Sequence, residues 1–170
     1  ETGDRLPQTL PEIYAREQVF LNQYQSTEII VQAIRIGDIA IASTPTETYA
    51  LSGLKLKLQS PLPKTMVIEL ANGAEGYIPP PEQHLLGGYN TWAARSAGLE
   101  VTAEPRIVAA DLILLEQVSG LPRREFEQSR GPAAKTIAEL KPLAYWRLDE
   151  MSGSTALDCS GAGRNAVYEA

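Results

Sequence analysis

Two runs of β-branched residues, separated by a two-residue turn signal, most constrain the fold of this chain. Residues 28–36 are rich in Ile, Val and Ala, and residues 39–43 continue the pattern after Gly37-Asp38. β-Branched residues favour strands, and a glycine and an aspartate between two apolar runs favour a hairpin. Because the runs are apolar almost throughout, they predict a sheet that is covered on both faces.

A helix and a third strand are expected after this hairpin. Thr44-Pro45-Thr46-Glu47 supplies a capping threonine and an early acidic residue, so we expect a helix to open there. Leucines at roughly helical spacing continue it towards Pro61, and residues 65–70 form another apolar run. Strand, helix and strand in this order predict a right-handed βαβ crossover. The fold class is therefore α/β, with a mixed sheet and flanking helices.

Helices are also expected on either side of this region. Residues 11–17 begin with proline and carry an early acidic residue, which suits a helix start. Residues 106–118 place apolar side chains at helical spacing. Residues 123–141 are charged and polar with Gly131-Pro132 in the middle, which predicts a linker with a short helix after Pro132.

Composition excludes several classes of function. The 170 residues carry a net charge of −6, so general nucleic-acid binding is not expected. No apolar run approaches the ~20 residues of a transmembrane helix, so we expect no transmembrane segment. Cys159 is the one cysteine, which rules out an intrachain disulfide, and His84 is the one histidine. A self-contained zinc site with two or three histidines is therefore excluded, and any zinc site needs ligands from outside these residues.

The start of the chain gives no indication of its compartment. A basic stretch followed by an apolar segment, which would mark a signal peptide, is not visible. The first residue is Glu1 rather than methionine, so we expect the chain to be processed or taken from a longer protein. The missing signal peptide then says little about where that longer protein resides.

Residues that could carry chemistry are concentrated between positions 43 and 92. Glu47 follows one buried strand, and Tyr77 follows the next buried strand at the end of a glycine-punctuated loop. Ligands of α/β proteins bind beyond the carboxyl ends of the strands. If the two strands are neighbours, Glu47 and Tyr77 lie at the same edge of the sheet. Gly87-Gly88-Tyr89 adds a second aromatic residue preceded by glycine.

Three segments in this order resemble the neutral, non-lysosomal ceramidase family, and the resemblance covers residues 34–118. Residues 36–41 leading into Pro45-Thr46-Glu47 resemble the family's strand and Pro-Gly-Glu motif. Residues 72–79, with the letters NGAEGYIP, resemble its segment from Asn to Gly/His-Tyr, and Gly88-Tyr89 resembles its later glycine- or arginine-tyrosine pair. The resemblance implies that residues 1–122 are the C-terminal part of an α/β catalytic domain. Thr46 stands where the family has glycine, and the 30 residues from Glu47 to Tyr77 (77 − 47 = 30) are fewer than in the ceramidases.

The resemblance also implies a metal site and a reaction. In that family two histidines, one glutamate and one tyrosine hold a catalytic Zn2+. The glutamate position matches Glu47 and the tyrosine position matches Tyr77, which makes Tyr77 both a metal ligand and a catalytic residue. The family's zinc histidines lie earlier in its chain than anything present here. The implied reaction is hydrolysis of the N-acyl amide bond of a ceramide-like lipid by metal-activated water, in a secreted, periplasmic or cell-surface protein.

Each of these residues also has a purely structural interpretation. Glu47 suits the N-terminus of a helix as well as it suits a metal, and Tyr77 suits a packed loop aromatic with a satisfied hydroxyl. Tyr89 is interpreted as structural. His84 is interpreted as a solvated or packing residue rather than a ligand, and Cys159, in a Ser/Gly turn, has no expected role.

The last residues carry a second resemblance. Residues 143–148 alternate as a strand does, and Tyr145-Trp146-Arg147-Leu148-Asp149-Glu150 followed by a Ser-Gly turn is similar to the start of a concanavalin A-like (laminin G-like) domain. This implies that residues 142–170 are the first strands of an incomplete β jelly roll, a module that binds carbohydrate or protein. Trp146 is expected to face inward. The rival function is thus a non-catalytic carbohydrate- or protein-binding surface protein that uses this module.

Overall fold

A computed structural model describes residues 5–125, 131–150 and 153–169 of the chain. Contacts divide the chain into two units, residues 1–124 and 125–170. The division falls inside the segment that the sequence predicts as a linker, of which residues 126–130 lie outside the described residues. Each unit has its own secondary structure.

The first unit contains a mixed sheet, a small strand pair and four α-helices in the described residues. Its elements are α1 (Leu10–Gln23), β1 (Gln32–Ile36), β2 (Ile39–Ser43), β3 (Glu47–Thr48), α2 (Ala50–Gln59), β4 (Lys64–Ile68), β5 (Tyr77–Ile78), α3 (Pro81–Leu86), a 3-10 turn (Tyr89–Thr91) and α4 (Ala103–Ser119). The predicted helices near residues 11 and 106 are confirmed. The short α3 and the 3-10 turn were not predicted. None of the helices in the described ranges combines the length and apolar character needed to cross a membrane.

The main sheet has the order β1-β2-β4 and confirms the mixed α/β class. β1 and β2 form the predicted antiparallel hairpin, in which Ile36 pairs with Ile39 across the turn. β2 and β4 are parallel, with Ala42 opposite Val67, and α2 connects them. The chain therefore contains the strand–helix–strand unit that the order of apolar runs predicts.

The helix between these strands begins later than predicted. Its first residue is Ala50 rather than a residue of the Thr44–Glu47 stretch, and Glu47 begins the short strand β3 instead. The Thr44 amide donates to the Ile68 carbonyl at 2.9 Å, and the Glu47 amide donates to the Gly76 carbonyl at 3.0 Å. The Thr44, Pro45 and Thr46 carbonyls also accept hydrogen bonds from the amides of Ala71, Glu75 and Leu70. A helix would need these carbonyls for the amides four residues further on, so the stretch is extended instead.

One face of the sheet forms the core with α2 and α4. Ala40 and Ala42 are at most 1% exposed and pack in one cluster with Leu56 of α2 and with Leu112 and Leu115 of α4. Small side chains on the strands let the two helices approach the sheet closely. Burial of this apolar cluster stabilises the first unit.

The opposite face of the sheet is apolar, and most of its side chains are exposed. Strand register places on it the six side chains that we call the isoleucine face: Ile34, Ile36, Ile39, Ile41, Met66 and Ile68. Five of them are between 41% and 62% exposed. Within the first unit, the predicted cover is therefore seen on one face of the sheet only. The two helices that pack on the sheet, α2 and α4, both lie on the alanine side.

Two acidic side chains are buried between the helices and the sheet. Glu104 of α4 is 1% exposed and accepts hydrogen bonds from Ser52 at 2.7 Å and from Lys55 at 3.2 Å, which links α4 to α2. Asp111, also on α4, is fully buried, and neither of its oxygens has a hydrogen-bond partner among the described residues. Burial raises the pKa of Asp111 to about 7, because desolvation disfavours the carboxylate.

The second unit contains α5 (Pro132–Glu139), β6 (Thr155–Ala156) and β7 (Ala166–Val167) in its described residues. The helix expected after Pro132 is confirmed, and β6 and β7 pair antiparallel. The strand expected over residues 143–148 is absent from the described residues, where Trp146 makes a single bridge with Asp158. The incomplete jelly roll therefore stays a prediction.

An aspartate-centred network explains why residues near 146 are not a regular strand. The Asp158 carboxylate accepts backbone hydrogen bonds from Tyr145, Ser160 and Arg164, all at 2.9 Å. These bonds replace ladder pairing with local turns. The Trp146 ring is 43% exposed and its indole N–H donates to the Arg164 carbonyl at 2.7 Å, so the expectation that it faces inward is wrong.

Candidate functional site

Glu47 and Tyr77 face each other across two adjacent strands. β3 and β5 are parallel, and their register places Glu47 opposite Tyr77 and Thr48 opposite Ile78. Side chains of residues directly opposite in a ladder project to the same side. The carboxylate and the phenol, both half-buried, therefore stand side by side. This pair belongs to a separate two-stranded sheet, whereas the sequence placed the two residues at the edge of the main sheet.

Backbone hydrogen bonds fix the position of Glu47. The glycine-punctuated loop packs directly on the segment that precedes Glu47. The Glu75 amide donates to the Pro45 carbonyl and the Leu70 amide donates to the Thr46 carbonyl, both at 3.2 Å. A Cβ at Gly73 would come within 2.6 Å of the Pro45 Cβ. The loop therefore needs glycine there in order to approach this closely.

Tyr77 is held from its other side by the segment around residue 96. Its amide donates to the Ser96 carbonyl at 2.8 Å. The preceding Gly76 has φ +83°, and a Cβ there would overlap the same carbonyl. A side chain at this position would thus have to displace the group that positions Tyr77.

A salt bridge to α1 anchors that supporting segment. The Glu17 carboxylate accepts hydrogen bonds from the Arg95 amide at 3.2 Å and from its guanidinium at 2.8 Å. The hydrogen bonds from Arg95 lower the pKa of Glu17 to about 2. The guanidinium also lies 4.0 Å from the centre of the Phe20 ring. The first helix therefore contributes to the position of Tyr77 through Arg95 and the adjacent Ser96.

Tyr89 joins the pair, although its sequence interpretation was structural. Its ring packs edge-on against Tyr77, with centroids 5.1 Å apart and planes at 77°. Hydrogen bonding with Tyr89, then partial burial and then the negative charge of Glu47 raise the pKa of Tyr77 to about 12. The signal in the sequence is the pair of glycines before Tyr89, both with positive φ, which turn the chain back towards Tyr77.

Glu47, Tyr77 and Tyr89 bring one carboxylate and two phenols together. Zinc accepts carboxylate oxygen, and a phenol with a pKa of ~10 becomes a good oxygen ligand when a metal's charge draws off its proton. Hydrogen bonding with Tyr89, followed by burial and the charge of Glu47, raises the pKa of Tyr77 and so favours the protonated phenol. Over residues 5–125, 131–150 and 153–169, no three His, Cys, Asp or Glu side chains converge on one point. Glu47 and Tyr77 can therefore form only part of a ligand set.

The structure also separates the alternatives that the sequence left open. Glu47 does not stabilise the N-terminus of α2, because that helix begins at Ala50 and its first turn has no acidic residue. The interpretation of Tyr77 as a packed loop aromatic stays open, because its edge-on contact with Tyr89 is compatible with packing and with metal binding. His84 lies in α3 and is partly exposed, and Cys159 is a free thiol in the second unit.

A groove of about 930 Å³ lies next to the loop that leads into Tyr77. Much of its lining is apolar, with Leu21, Ile29 and Ile107 among the residues that form it. Glu75 and Arg95 also line it, and each is the immediate neighbour of a residue that positions Tyr77. The groove therefore reaches the backbone that supports the candidate site.

Comparisons of this chain with family models, with curated proteins and with solved structures found no match. The resemblance to the ceramidases therefore rests on the sequence motifs alone and stays a prediction.

Proposed function

We propose that this chain is the C-terminal part of the catalytic domain of a zinc-dependent amidohydrolase similar to neutral ceramidase. The observation that carries the proposal is the register of β3 and β5, which sets the Glu47 carboxylate beside the Tyr77 phenol. Carboxylate and phenol are the two zinc ligands that the family motifs assign to these positions. They lie far apart in sequence and adjacent in space.

The chain's own residues have distinct roles in this proposal. Glu47 supplies a negative oxygen ligand, and Tyr77 supplies a phenol that keeps its proton until a cation is near, since its pKa is about 12. Tyr89 orients the Tyr77 ring through their edge-on contact and hydrogen bonding. A zinc ion bound there would acidify a water molecule and polarise an amide carbonyl. The two remaining ligands are histidines from outside these residues.

The proposed substrate is an N-acyl amide of the ceramide type. The apolar part of the groove beside the Tyr77 loop supports an acyl chain as part of that substrate. The proposal places the parent protein outside the cytoplasm, as a secreted, periplasmic or cell-surface enzyme.

A second function, carbohydrate binding by the second unit, is favoured by one observation. The Trp146 ring is 43% exposed and is fixed by its hydrogen bond to the Arg164 carbonyl. A fixed, exposed indole can stack on a sugar ring. Titration of the chain with soluble oligosaccharides should then quench Trp146 fluorescence, and an unchanged signal in a Trp92→Phe background would exclude this function.

The proposed amidohydrolase is tested by Glu47→Ala in the complete parent protein. Zinc content and amidase activity should fall together, because the substitution removes a metal ligand without touching the core. Glu69→Ala, at an exposed glutamate just after β4, is the matched control and should change neither. Full zinc occupancy with normal turnover in Glu47→Ala would exclude the assignment.

A further inference from the structure

Asn72 is followed by Gly73 at the tip of the loop that leads into Tyr77. Asparagine is one of the chemically labile residues of proteins, because the amide nitrogen of the next residue can attack its side-chain carbonyl carbon. A side chain on that next residue hinders the attack, and glycine has none. The chain has four asparagines, and the other three precede a residue with a side chain: Asn22, Asn90 and Asn165. Asn72 therefore has the least hindered neighbouring amide of the four.

The tip of the loop is anchored on both sides and free in between. The Ala71 amide donates to the Thr44 carbonyl at 2.9 Å, and the Glu75 amide donates to the Pro45 carbonyl at 3.2 Å. The amides of residues 72–74 have no acceptor among the described residues. Loop segments with so few backbone hydrogen bonds open locally at little cost in free energy. The tip can therefore change its conformation while both anchors hold.

The side chain of Asn72 is also weakly restrained. Asn72 is exposed and has φ +64°, in the left-handed region that asparagine adopts more readily than most residues. Its side-chain amide donates to the side-chain oxygen of Gln32, which is exposed as well. Water replaces an exposed hydrogen bond at small cost. The side-chain carbonyl carbon of Asn72 and the free amide of Gly73 can thus meet without unfolding of the unit.

The same position tolerates little added bulk. Gly73 lies so close to the segment before Glu47 that a Cβ would come within 2.6 Å of the Pro45 Cβ. The anchors at Ala71 and Glu75 fix the span that the tip has to bridge. An extra main-chain atom between Asn72 and Gly73 would lengthen the tip where it is packed most closely.

We propose that Asn72 is a deamidation site, and that isoaspartate formed there detaches the loop from the segment before Glu47. The Gly73 amide nitrogen gives its proton to hydroxide and bonds to the side-chain carbonyl carbon of Asn72. The carbon–nitrogen bond of the side-chain amide breaks, and ammonia leaves with a proton taken from water. Water then opens the succinimide ring. Opening at the side-chain carbonyl gives aspartate, whereas opening at the main-chain carbonyl gives isoaspartate, which adds the side-chain methylene to the main chain.

Mass analysis of the aged chain tests the site. The chain is kept at about pH 8, folded or in guanidinium chloride, and is then cut with trypsin after Lys64 and Arg95. The resulting peptide contains Asn72 together with Asn90 as an internal control. We expect Asn72 in the folded chain to convert within about tenfold of its rate in the unfolded chain, while Asn90 stays intact. A slower conversion of Asn72 in the folded chain, or equal conversion of Asn90, would overturn the proposal.

Hydrogen exchange of the Glu75 amide tests the detachment. Asn72→Asp has the charge of the product without the extra main-chain atom, so it is the matched control for the purified isoaspartate form. The Glu75 amide should exchange at least about tenfold faster in the isoaspartate form than in the unmodified chain, because its bond to the Pro45 carbonyl is lost. Asn72→Asp should leave this exchange unchanged. Unchanged exchange in the isoaspartate form, or equal acceleration in both, would overturn the detachment. Neither measurement involves zinc, so the outcome is independent of the proposed amidohydrolase.

Discussion

Asp111 should make the stability of the first unit fall as the pH rises through neutrality. Its carboxyl group is fully buried on α4 without a hydrogen-bond partner among the described residues. Desolvation raises its pKa from 3.8 to about 7 in the folded chain. The group is therefore neutral in the folded state and ionised in the unfolded state between those two values.

The sign and size of the effect follow from proton linkage. A carboxyl whose pKa is higher in the folded state favours folding at low pH, and that advantage is lost between pH ~4 and pH ~7. At about 1.4 kcal/mol per pKa unit, the full loss is on the order of 4 kcal/mol, of which about 3 kcal/mol falls between pH 5 and pH 8. Arg95 lowers the pKa of Glu17 to about 2, so the stability that the Glu17 carboxylate contributes is lost only at more acidic pH.

Asp111→Asn is the perturbation that isolates this effect. The amide has nearly the same shape and cannot ionise, so the variant should keep its stability between pH 5 and pH 8 while the wild-type chain loses about 3 kcal/mol. Urea unfolding at several pH values measures the difference. A Trp146→Phe background leaves Trp92, which packs edge-on against Tyr14 at 5.1 Å, as the fluorescent reporter of the first unit. Parallel pH curves for the wild type and Asp111→Asn would refute the reasoning.

Three further outcomes follow from particular contacts. Glu47→Gln should lower the pKa of Tyr77 from about 12, because a neighbouring negative charge is removed; tyrosine ring NMR across alkaline pH measures it, and an unchanged value would contradict the pairing. Gly76→Ala should destabilise the first unit by about 3 kcal/mol, since its φ is positive and its Cβ meets a carbonyl. Gly53→Ala, with open space inside α2, should stabilise it by about 1 kcal/mol; similar urea midpoints for the two would count against the close loop contact. Lys55→Met removes the cation that pairs with the buried Glu104 and leaves it the Ser52 hydrogen bond. The substitution should cost about 3 kcal/mol in the same assay, whereas a neutral result would show that the pair is solvated.

Local pattern was sufficient for the elements whose structure depends on neighbours in sequence. The hairpin across Gly37-Asp38, the strand predicted over residues 65–70 and the helix predicted over residues 106–118 all follow from β-branched runs, turn residues and helical spacing, and the structure differs from them only at the ends of the elements. These signals act over a few residues. Long-range contacts decided the positions where the expectations were wrong.

The start of α2 and the strand near residue 146 show how such contacts act. Thr44-Pro45-Thr46-Glu47 has the composition of a helix start, yet amides of the distant loop, at Leu70, Ala71 and Glu75, bond its carbonyls and keep it extended. Residues around Trp146 alternate as a strand does, yet the Tyr145 amide donates to the Asp158 carboxylate rather than to a neighbouring strand. Neither partner can be identified from spacing alone.

The sequence was sufficient to predict which two residues pair in the candidate site, but it predicted their arrangement only in part. Position after a buried strand pointed to Glu47 and Tyr77, and the structure makes them register partners. The contact of Tyr89 with Tyr77 depends on two positive-φ glycines and on a separate short sheet, which no periodicity reveals. The exposure of the isoleucine face was not predicted for a different reason. An apolar run favours a buried strand face but does not identify the element that buries it.

The central claim is that Glu47 and Tyr77 bind one zinc ion together. A crystal structure of the parent protein with zinc, measured at the zinc absorption edge, tests it most directly. The claim predicts an anomalous peak about 2.0–2.2 Å from both a Glu47 carboxylate oxygen and the Tyr77 hydroxyl oxygen. A zinc peak away from these oxygens, in a parent whose β3 and β5 keep this register, would contradict it.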